Sequence, residues 1–281
     1  DGFSHLRHVI GPDEYHADVD DNAYTNLMAR WNLRRAAALE MPSAETATWL
    51  RVADSLVDGY DATTHRHEQF AGYYKLEPLL VADIGTPPLA ADLLLGAART
   101  SKSQIIKQPD VLMAHHLIPA ELPDGSLAND LDFYLPRTAH GSSLSPAITA
   151  ALLARSGRAD EALTYLDQAL RLDLDDLTGM TANGLHLATL GGAWQALLFG
   201  FGGARVADDA LNLDPQLPSR WQSLQLRFRC RGRRVDLRIA GDTATVRVSG
   251  PLRIGTRCCV ATPVTDQVAL VRSDSGWVVH H

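Results

Sequence analysis

The fold is organised around Gly11-Pro12-Asp13-Glu14-Tyr15-His16, which an acidic run at residues 18–22 follows at once. Glycine and proline together predict a turn, and a carboxylate or amide among residues 20–22 can cap a helix that begins near Ala23. Glu14 is therefore predicted on a tight loop before a helix, where a rigid scaffold can direct a side chain into a cleft. The alternative interpretation is a solvated acidic loop.

Composition excludes several classes of protein. The chain has 281 residues, of which 46% are apolar and 21% charged, a soluble globular composition. Its net charge of -7 argues against a general nucleic-acid or anionic-membrane binder, so neither is an expected partner. No apolar run reaches the roughly 18 residues of a membrane-spanning helix.

The cysteines indicate the cellular compartment of the protein, and the first residues indicate whether the chain is part of a longer protein. Cys230, Cys258 and Cys259 form neither a disulfide framework nor a zinc spacing, which indicates a reducing cytoplasm. The sequence opens on Asp1-Gly2-Phe3 without methionine, signal peptide or transit pattern. We therefore expect the chain to be a fragment of a longer protein.

Apolar periodicity predicts helices through most of the first 200 residues. The predicted segments are 22–40, 44–58, 88–99, 103–117, 145–155, 159–172 and 184–200. Residues 60–87 and 118–143 are predicted to be irregular. Because residues 184–200 are nearly all apolar or small, they predict a helix buried on every side, and their glycines predict close approach to a neighbouring helix.

The pattern changes near residue 205, where a two-residue period begins. Ser223–Arg229, Val235–Ile239 and Thr243–Val248 alternate apolar and polar side chains, with turn signals between them. Helices first and strands later indicate two packed units rather than an alternating α/β fold. We therefore predict a mainly α domain over 1–205 and a small antiparallel β domain over 206–281.

Lys107-Gln108-Pro109-Asp110 is a candidate sugar-binding segment. Lysine supplies charge and donors, and glutamine supplies both a donor and an acceptor, as a polyhydroxylated sugar requires. The alternative is a helix start with solvated polar groups.

Two further segments carry candidate phosphate ligands. In Arg137–Ser145, two hydroxyls and a glycine precede a helix, whose amide groups and dipole favour an anion; the alternative is an ordinary serine N-cap. His186 begins the apolar helix. The alternative is that it is a core histidine whose ring nitrogens are hydrogen-bonded within the protein. The other histidines show no metal-ligand spacing, and His65 and His67 are interpreted as structural or exposed.

These motifs closely resemble those of glycoside hydrolase family 65, the disaccharide phosphorylases that act on maltose, trehalose and kojibiose. The catalytic motif of that family is similar to residues 11–16 with Asp21-Asn22-Ala23-Tyr24-Thr25-Asn26, and its sugar-binding motif to Lys107–Leu112, with proline replacing alanine. Its phosphate loop resembles His140–Pro146, where a glutamate often replaces Gly141. Residues 184–188 and 191–194 are similar to its final barrel helix.

The resemblance implies the C-terminal part of an (α/α)6 barrel over 1–205, followed by a small antiparallel β-sandwich over 206–281. The seven or eight predicted helices are fewer than the twelve of a closed barrel. The resemblance thus implies a missing N-terminal part of the same protein, without which the fragment can be inactive. Family members are commonly dimers, so a homodimer is possible.

The implied reaction is inverting phosphorolysis of an α-glucosidic disaccharide to β-glucose 1-phosphate and a sugar. Glu14 would be the general acid, kept protonated by burial or by its neighbour Asp13. Lys107 and Gln108 would hold the glucosyl ring. The phosphate ligands would be Ser142, Ser143 and His186, with His140 as a further candidate. No metal or organic cofactor is implied, and inorganic phosphate is the co-substrate.

Two other functions stay open from the sequence. An inverting α-glucoside hydrolase, similar to a trehalase, would need a second carboxylate to activate water, and Gly141 lacks the one that some relatives carry. A non-catalytic carbohydrate-binding or structural remnant is the other alternative. Glu14, Lys107 and both serines are all retained, so the sequence shows no decay of the site.

Overall fold

A computed structural model of the chain describes residues 2–207 and 209–280. It forms two compact units, which divide between Ser145 and Pro146. The predicted order of helices followed by strands is confirmed, with the change at Ala204. The domain boundary at 205 and 206 itself stays a prediction.

The described residues of the first unit contain six α-helices. They are α1 (Ala23–Leu39), α2 (Ala44–Ser55), α3 (Ala91–Leu95), α4 (Ala97–Thr100), α5 (Asp110–Leu117) and α6 (Ser126–Tyr134). A short antiparallel ladder pairs β1 (Tyr60–Asp61) with β2 (Arg66–His67). Asn22 caps α1 by accepting the Thr25 amide, and Ser43 caps α2 through a capping box with Thr46.

Three predicted segments of this unit differ in the structure. The helix predicted at 88–99 is broken at Gly96, whose φ of +80° ends α3 before α4 begins. The helix predicted at 103–117 covers only α5, because Ile106 instead exchanges backbone hydrogen bonds with the segment around Thr138. Helix α6 lies in a region that was predicted to be irregular.

Three α-helices are found among the described residues of the second unit. Helices α7 (Ser145–Arg155) and α8 (Ala159–Arg171) match the prediction, and α9 (Leu187–Gln195) continues into a π-helical segment, Ala196–Phe201. The prediction that α9 is buried on every side is wrong, since Leu187 and Trp194 are 70% and 42% exposed. Only the side that carries Gly192 is packed.

The described part of the second unit also contains nine strands in two sheets. They are β3 (Ala204–Ala207), β4 (Ala210–Leu213), β5 (Ser223–Cys230), β6 (Arg233–Ala240), β7 (Thr243–Val248), β8 (Leu252–Gly255), β9 (Thr262–Val264), β10 (Gln267–Ser273) and β11 (Gly276–His280). One sheet is antiparallel in the order β11-β10-β7-β6-β5, and the other has the order β3-β4-β8-β9.

The prediction of a wholly antiparallel β domain is wrong for one pair of strands. Strand β4 pairs with β8 in parallel, with Leu211 opposite Ile254. The chain leaves β4, builds three strands of the other sheet and returns in the same direction, and parallel neighbours require such a long connection.

The predicted alternation of apolar and polar residues is confirmed in the five-stranded sheet. In β6 the side chains of Val235, Leu237 and Ile239 are buried, whereas those between them are half-buried or exposed. These residues join one core cluster with Leu198 of the π-helical segment and with Trp277, whose indole N–H donates to the Pro215 carbonyl at 2.8 Å.

No helix among the described residues is long and apolar enough to cross a membrane. The cysteines in this part of the chain, Cys230, Cys258 and Cys259, are free thiols.

Close helix packing predicts opposite effects for two glycine substitutions in the second unit. A Cβ at Gly200 would lie 2.8 Å from the Ala151 Cα of α7, whereas a Cβ at Gly191 would meet no atom within 4 Å. We expect Gly200→Ala to lower the free energy of unfolding by about 1–3 kcal/mol. Gly191→Ala should leave it unchanged or raise it by up to about 1 kcal/mol. Urea unfolding followed by circular dichroism measures both, and equal effects would contradict close packing at Gly200.

Candidate active site

The loop that carries Glu14 presents this side chain to solvent. Backbone hydrogen bonds between Val9 and Val19 close the base of the loop. The Glu14 side chain is 62% exposed, whereas Asp13 is turned inward and is 1% exposed. The expected burial of Glu14 is therefore not found in this structure, and its role as the acid stays a prediction.

The candidate sugar-binding segment lies directly against this loop. The Lys107 Nζ forms an ion pair with the Glu14 carboxylate, and the Gln108 side-chain amide donates to the Pro12 carbonyl. The Gln108 Oε1 is buried and has no hydrogen-bond partner. The structure thus brings together the predicted acid and both predicted sugar ligands, and it leaves a buried acceptor beside them.

The segment that precedes α7 joins the same place. The Ala139 amide donates to the Ile106 carbonyl at 2.8 Å, which aligns the two segments. A Cβ at Gly141 would lie 3.1 Å from the Tyr15 hydroxyl and 3.5 Å from the Lys107 Cγ. Three motifs that are far apart in sequence are therefore neighbours within the first unit.

Tyr15 forms part of the wall between these motifs. Its ring packs on the apolar cluster of Val81, Ala91, Ile105 and Ala139, and its hydroxyl oxygen accepts the Ala91 amide at 3.0 Å. Burial raises the pKa of Tyr15 to about 12, so the phenol keeps its proton at neutral pH.

Ser142 and Ser143 are half-buried just before α7. The Ser142 Oγ accepts the Leu144 amide at 3.4 Å, and the Ser142 carbonyl accepts the Ser145 amide at 3.4 Å. The segment is thus a turn that leads into the helix, as predicted. Its role in phosphate binding stays a prediction.

His140 lies beneath this turn and is almost completely buried. Its Nδ1 is 2.9 Å from the Ser145 Oγ, which itself donates to the Ser142 carbonyl at 3.2 Å. Burial lowers the pKa of His140 to about 4, so the ring is neutral near pH 7 and brings no charge to an anion. These contacts hold the turn, and the predicted phosphate role of His140 stays a prediction.

His186 belongs to the second unit, where it precedes α9. Its ring Nδ1 is 2.6 Å from the Asp173 Oδ1, and its backbone amide donates to the Asp173 Oδ2 at 2.8 Å. The side-chain hydrogen bond from His186 is the main cause that lowers the pKa of Asp173. The carboxylate orients the half-buried ring, whose role as a phosphate ligand also stays a prediction.

One cluster of the first unit contains possible metal ligands. The Asp130 carboxylate accepts hydrogen bonds from His67 and His115, each at 2.9 Å, and all three residues are buried. Burial raises the pKa of Asp130, but the hydrogen bonds from His115 and His67 outweigh it and lower the pKa overall. His67 is thus buried and bonded to Asp130, while His65 is exposed beside Tyr60.

Sequence reasoning treated Asp13 only as a charged neighbour of Glu14, and it gave Asp110 no role of its own within the candidate sugar-binding segment. The backbone amide of Asp13 donates to the Asp110 Oδ1 at 2.6 Å, and that of Lys107 donates to the Asp13 Oδ1 at 2.8 Å. Both acids fall inside the motifs, which is the only sequence signal that could have identified them.

Family models match most of the chain. The model of the glycosyl hydrolase family 65 central catalytic domain matches residues 1–195. The model of the family 65 C-terminal domain matches residues 204–257.

Curated proteins and a solved structure are similar over nearly the same range. An alpha,alpha-trehalose phosphorylase of Geobacillus stearothermophilus is 33% identical over 86% of this chain and 34% of its own length. A kojibiose phosphorylase of Halothermothrix orenii is 30% identical over 86% of this chain and 33% of its own length. The structure of a putative kojibiose phosphorylase from human microbiome is 26% identical, with a TM-score of 0.86 over 96% of this chain and 40% of that one. The chain thus spans about a third of the length of the curated relatives it matches.

The neutral state of buried His140 predicts a dependence of stability on pH. Between pH 6.5 and about 4 the unfolded chain takes up a proton here that the folded chain does not, so stability falls as the pH falls. His140→Asn should reduce this slope by up to about 1.4 kcal/mol per pH unit. Asparagine tolerates the φ of +51° at this position and can still donate to the Ser145 Oγ.

His8→Asn is the matched control, because His8 has a φ of +55° but is exposed. Urea unfolding between pH 4 and 7 gives the free energies. An unchanged slope in His140→Asn would show that His140 is not neutral in the folded chain.

Proposed function

Because the chain belongs to glycosyl hydrolase family 65, we propose that it is part of an enzyme that cleaves an α-glucosidic disaccharide by inverting phosphorolysis. The trehalose and kojibiose phosphorylases among its relatives support this reaction class. The products would be β-glucose 1-phosphate and a free sugar, with maltose, trehalose and kojibiose as the substrate types. Inorganic phosphate would be the co-substrate, without a metal or organic cofactor.

The observation that carries the proposal is the contact of Lys107 with Glu14 beside the unpaired Gln108 Oε1. An inverting enzyme needs an acid to protonate the leaving oxygen, and Glu14 is an exposed carboxyl group on a loop anchored from beneath. Sugar hydroxyls can both donate to the Gln108 acceptor and accept from the Lys107 ammonium. To donate a proton, Glu14 has to leave its ion pair, and a bound glucosyl ring would draw Lys107 away from it.

Phosphate would take the place of the water and base that a hydrolase uses. We assign its binding to Ser142 and Ser143, whose hydroxyls and amides lie at the turn before α7, where the helix dipole favours an anion. His186 and His140 are further proposed ligands from the family resemblance. Donors to a phosphate dianion are charge-assisted and stronger than neutral pairs.

The finer architecture is part of the same proposal. The helices would be the C-terminal part of an (α/α)6 catalytic barrel, residues 1–205, and the two sheets a β-sandwich domain, residues 206–281. The N-terminal part of the barrel would come from the same protein. A homodimer and a cytoplasmic location are proposed on the family resemblance and on the free cysteines.

Replacing the proposed acid tests its role. Glu14→Gln keeps the shape of the side chain but cannot donate a carboxylic proton. We expect kcat on the disaccharide to fall at least about a hundredfold, as expected for loss of general acid catalysis. The rate on α-glucosyl fluoride, whose leaving group needs little protonation, should fall much less.

These rates are measured on the native-length protein with saturating phosphate. Glu121→Gln is a control, since Glu121 pairs with Arg34 away from the motifs. A Glu14→Gln variant that cleaves the disaccharide at the wild-type rate would remove Glu14 from the acid role.

Removing both hydroxyls of the turn tests phosphate binding. Ser142→Ala with Ser143→Ala should raise the KM for phosphate at least about tenfold, which corresponds to one or two lost hydrogen bonds. The KM for the disaccharide should change little. Steady-state rates at saturating disaccharide and varied phosphate give both constants, and Ser101→Ala, at an exposed serine after α4, is the control.

The wild-type protein separates phosphorolysis from hydrolysis in the same assay. Phosphorolysis requires phosphate and yields glucose 1-phosphate. Full cleavage in phosphate-free buffer with release of glucose alone would favour the hydrolase, and no cleavage of any disaccharide would favour the non-catalytic alternative.

A further inference from the structure

The buried carboxylate of Asp110 joins two segments that are 97 residues apart in sequence. Asp110 is the first residue of α5 and is 0% exposed. Its Oδ1 accepts the Asp13 amide at 2.6 Å, and its Oδ2 accepts the Asn22 side-chain amide at 2.7 Å. One carboxylate oxygen is therefore bonded to the loop that carries Glu14, and the other to the residue that caps α1 just after this loop.

Gly11 makes this contact possible. A Cβ at Gly11 would lie 1.9 Å from the Asp110 Oδ2, so the carboxylate occupies the space of the missing side chain. The loop is thus fixed relative to α5 by the Asp13 amide and by van der Waals contact at Gly11, and the Asn22 side chain binds the start of α1 to the same carboxylate.

A second carboxylate, that of Asp13, connects the same segments, but here the loop supplies the acceptor and the Lys107 segment supplies the donor. The Asp13 Oδ1 accepts the Lys107 amide at 2.8 Å, and the Oδ2 accepts the Gln69 side-chain amide at 2.9 Å. The backbone of Lys107 is thereby fixed to the residue that precedes Glu14. Because the two hydrogen bonds run in opposite directions, neither segment can shift along the other without breaking one of them.

His16 joins the same network through both ring nitrogens. Its Nε2 is 2.9 Å from the Ser103 carbonyl, which can only accept, so this nitrogen carries a proton. Its Nδ1 is 2.6 Å from the Asp13 Oδ2. Burial, and then the charge of Asp13, raise the pKa of Asp110, while the hydrogen bonds from Asn22 and the Asp13 amide oppose this rise.

We propose that Asp110 is a positioning residue, which holds the Glu14 loop against the Lys107 segment so that acid and sugar ligands face the same substrate. Asp110 itself contacts none of the proposed substrate groups. The proposal rests on the function proposed above for Glu14 and Lys107. It assigns to the last residue of the Lys107–Asp110 segment a role in aligning the acid with the glycosidic oxygen.

Asp110→Asn tests this role, because it keeps the shape but replaces one acceptor oxygen with a donor. One of the two amides, from Asp13 or from Asn22, then faces an NH2 group, and the loop shifts. We expect kcat on the disaccharide to fall about a hundredfold, the effect of a misplacement of about 1 Å. The rate on α-glucosyl fluoride should fall far less, because the fluoride leaving group needs little protonation by the acid.

The exchange of side chains between positions 22 and 110 is the matched rescue. In the double variant Asp110→Asn with Asn22→Asp, the new carboxylate accepts from the new amide, and the remaining amide oxygen can still accept from Asp13. An aspartate at position 22 can also keep the cap of α1. This variant should recover the wild-type ratio of the two rates, even where the single variant folds poorly.

The assays use the native-length protein, with Glu14→Gln in parallel and Asp124→Asn, at an exposed turn, as the control. Equal losses on both substrates in Asp110→Asn, or no loss at all, would overturn the positioning role, and so would a folded double variant that keeps the disaccharide-specific loss. If Glu14→Gln is impaired and Asp110→Asn is not, only this inference fails. If Glu14→Gln cleaves the disaccharide normally, the proposed function of Glu14 fails first.

Discussion

The candidate site depends on the contact of the Asp110 carboxylate with the loop at Gly11. A surface loop that carries a functional side chain has to be held in place by the scaffold below it. Here the two buried carboxylates of Asp110 and Asp13 each accept a hydrogen bond from a backbone amide of the opposite segment. The exposed ion pair of Glu14 with Lys107 therefore lies on a rigid buried base.

The buried network below the loop is polar, and each of its donors and acceptors needs a hydrogen-bond partner. Removing one partner from a buried charged network costs about 3–5 kcal/mol, because the remaining charge is left uncompensated. Asp13 accepts hydrogen bonds from Gln69 and the Lys107 amide, and its Oδ2 lies 2.6 Å from the His16 Nδ1, so its carboxylate is well satisfied. The matched network specifies one arrangement of the two segments, which an apolar base of similar volume would allow to slide.

Local signals in the sequence predicted local structure well. Capping residues and apolar periodicity located α1, α2, α7 and α8, since these depend on neighbours within one or two turns. The motif comparison placed Glu14 and Lys107 in one site, and the structure brings them into contact.

Contacts between distant residues could not be predicted in this way. Nothing near Asp110 in sequence indicates that it meets Gly11, and nothing near Asp130 indicates that His67 and His115 satisfy it inside α6. Asp130 makes α6 look polar and irregular, although its carboxylate is buried and bonded. The broken helix at Gly96 likewise needed a backbone angle that the apolar pattern does not encode.

The parallel pairing of β4 with β8 has a consequence for the order in which the second unit folds. Strands β5, β6 and β7 are consecutive neighbours, so their contacts close short loops and can form within microseconds. The pairing of Ala210 with Arg253 instead closes a loop of about 40 residues. The loss of chain entropy on closing this loop is larger, and it comes before the contacts between the strands can offset it. The four-stranded sheet should therefore be completed after the meander, and until then β4, paired with β3, and β8, paired with β9, each keep one open edge that another chain could capture.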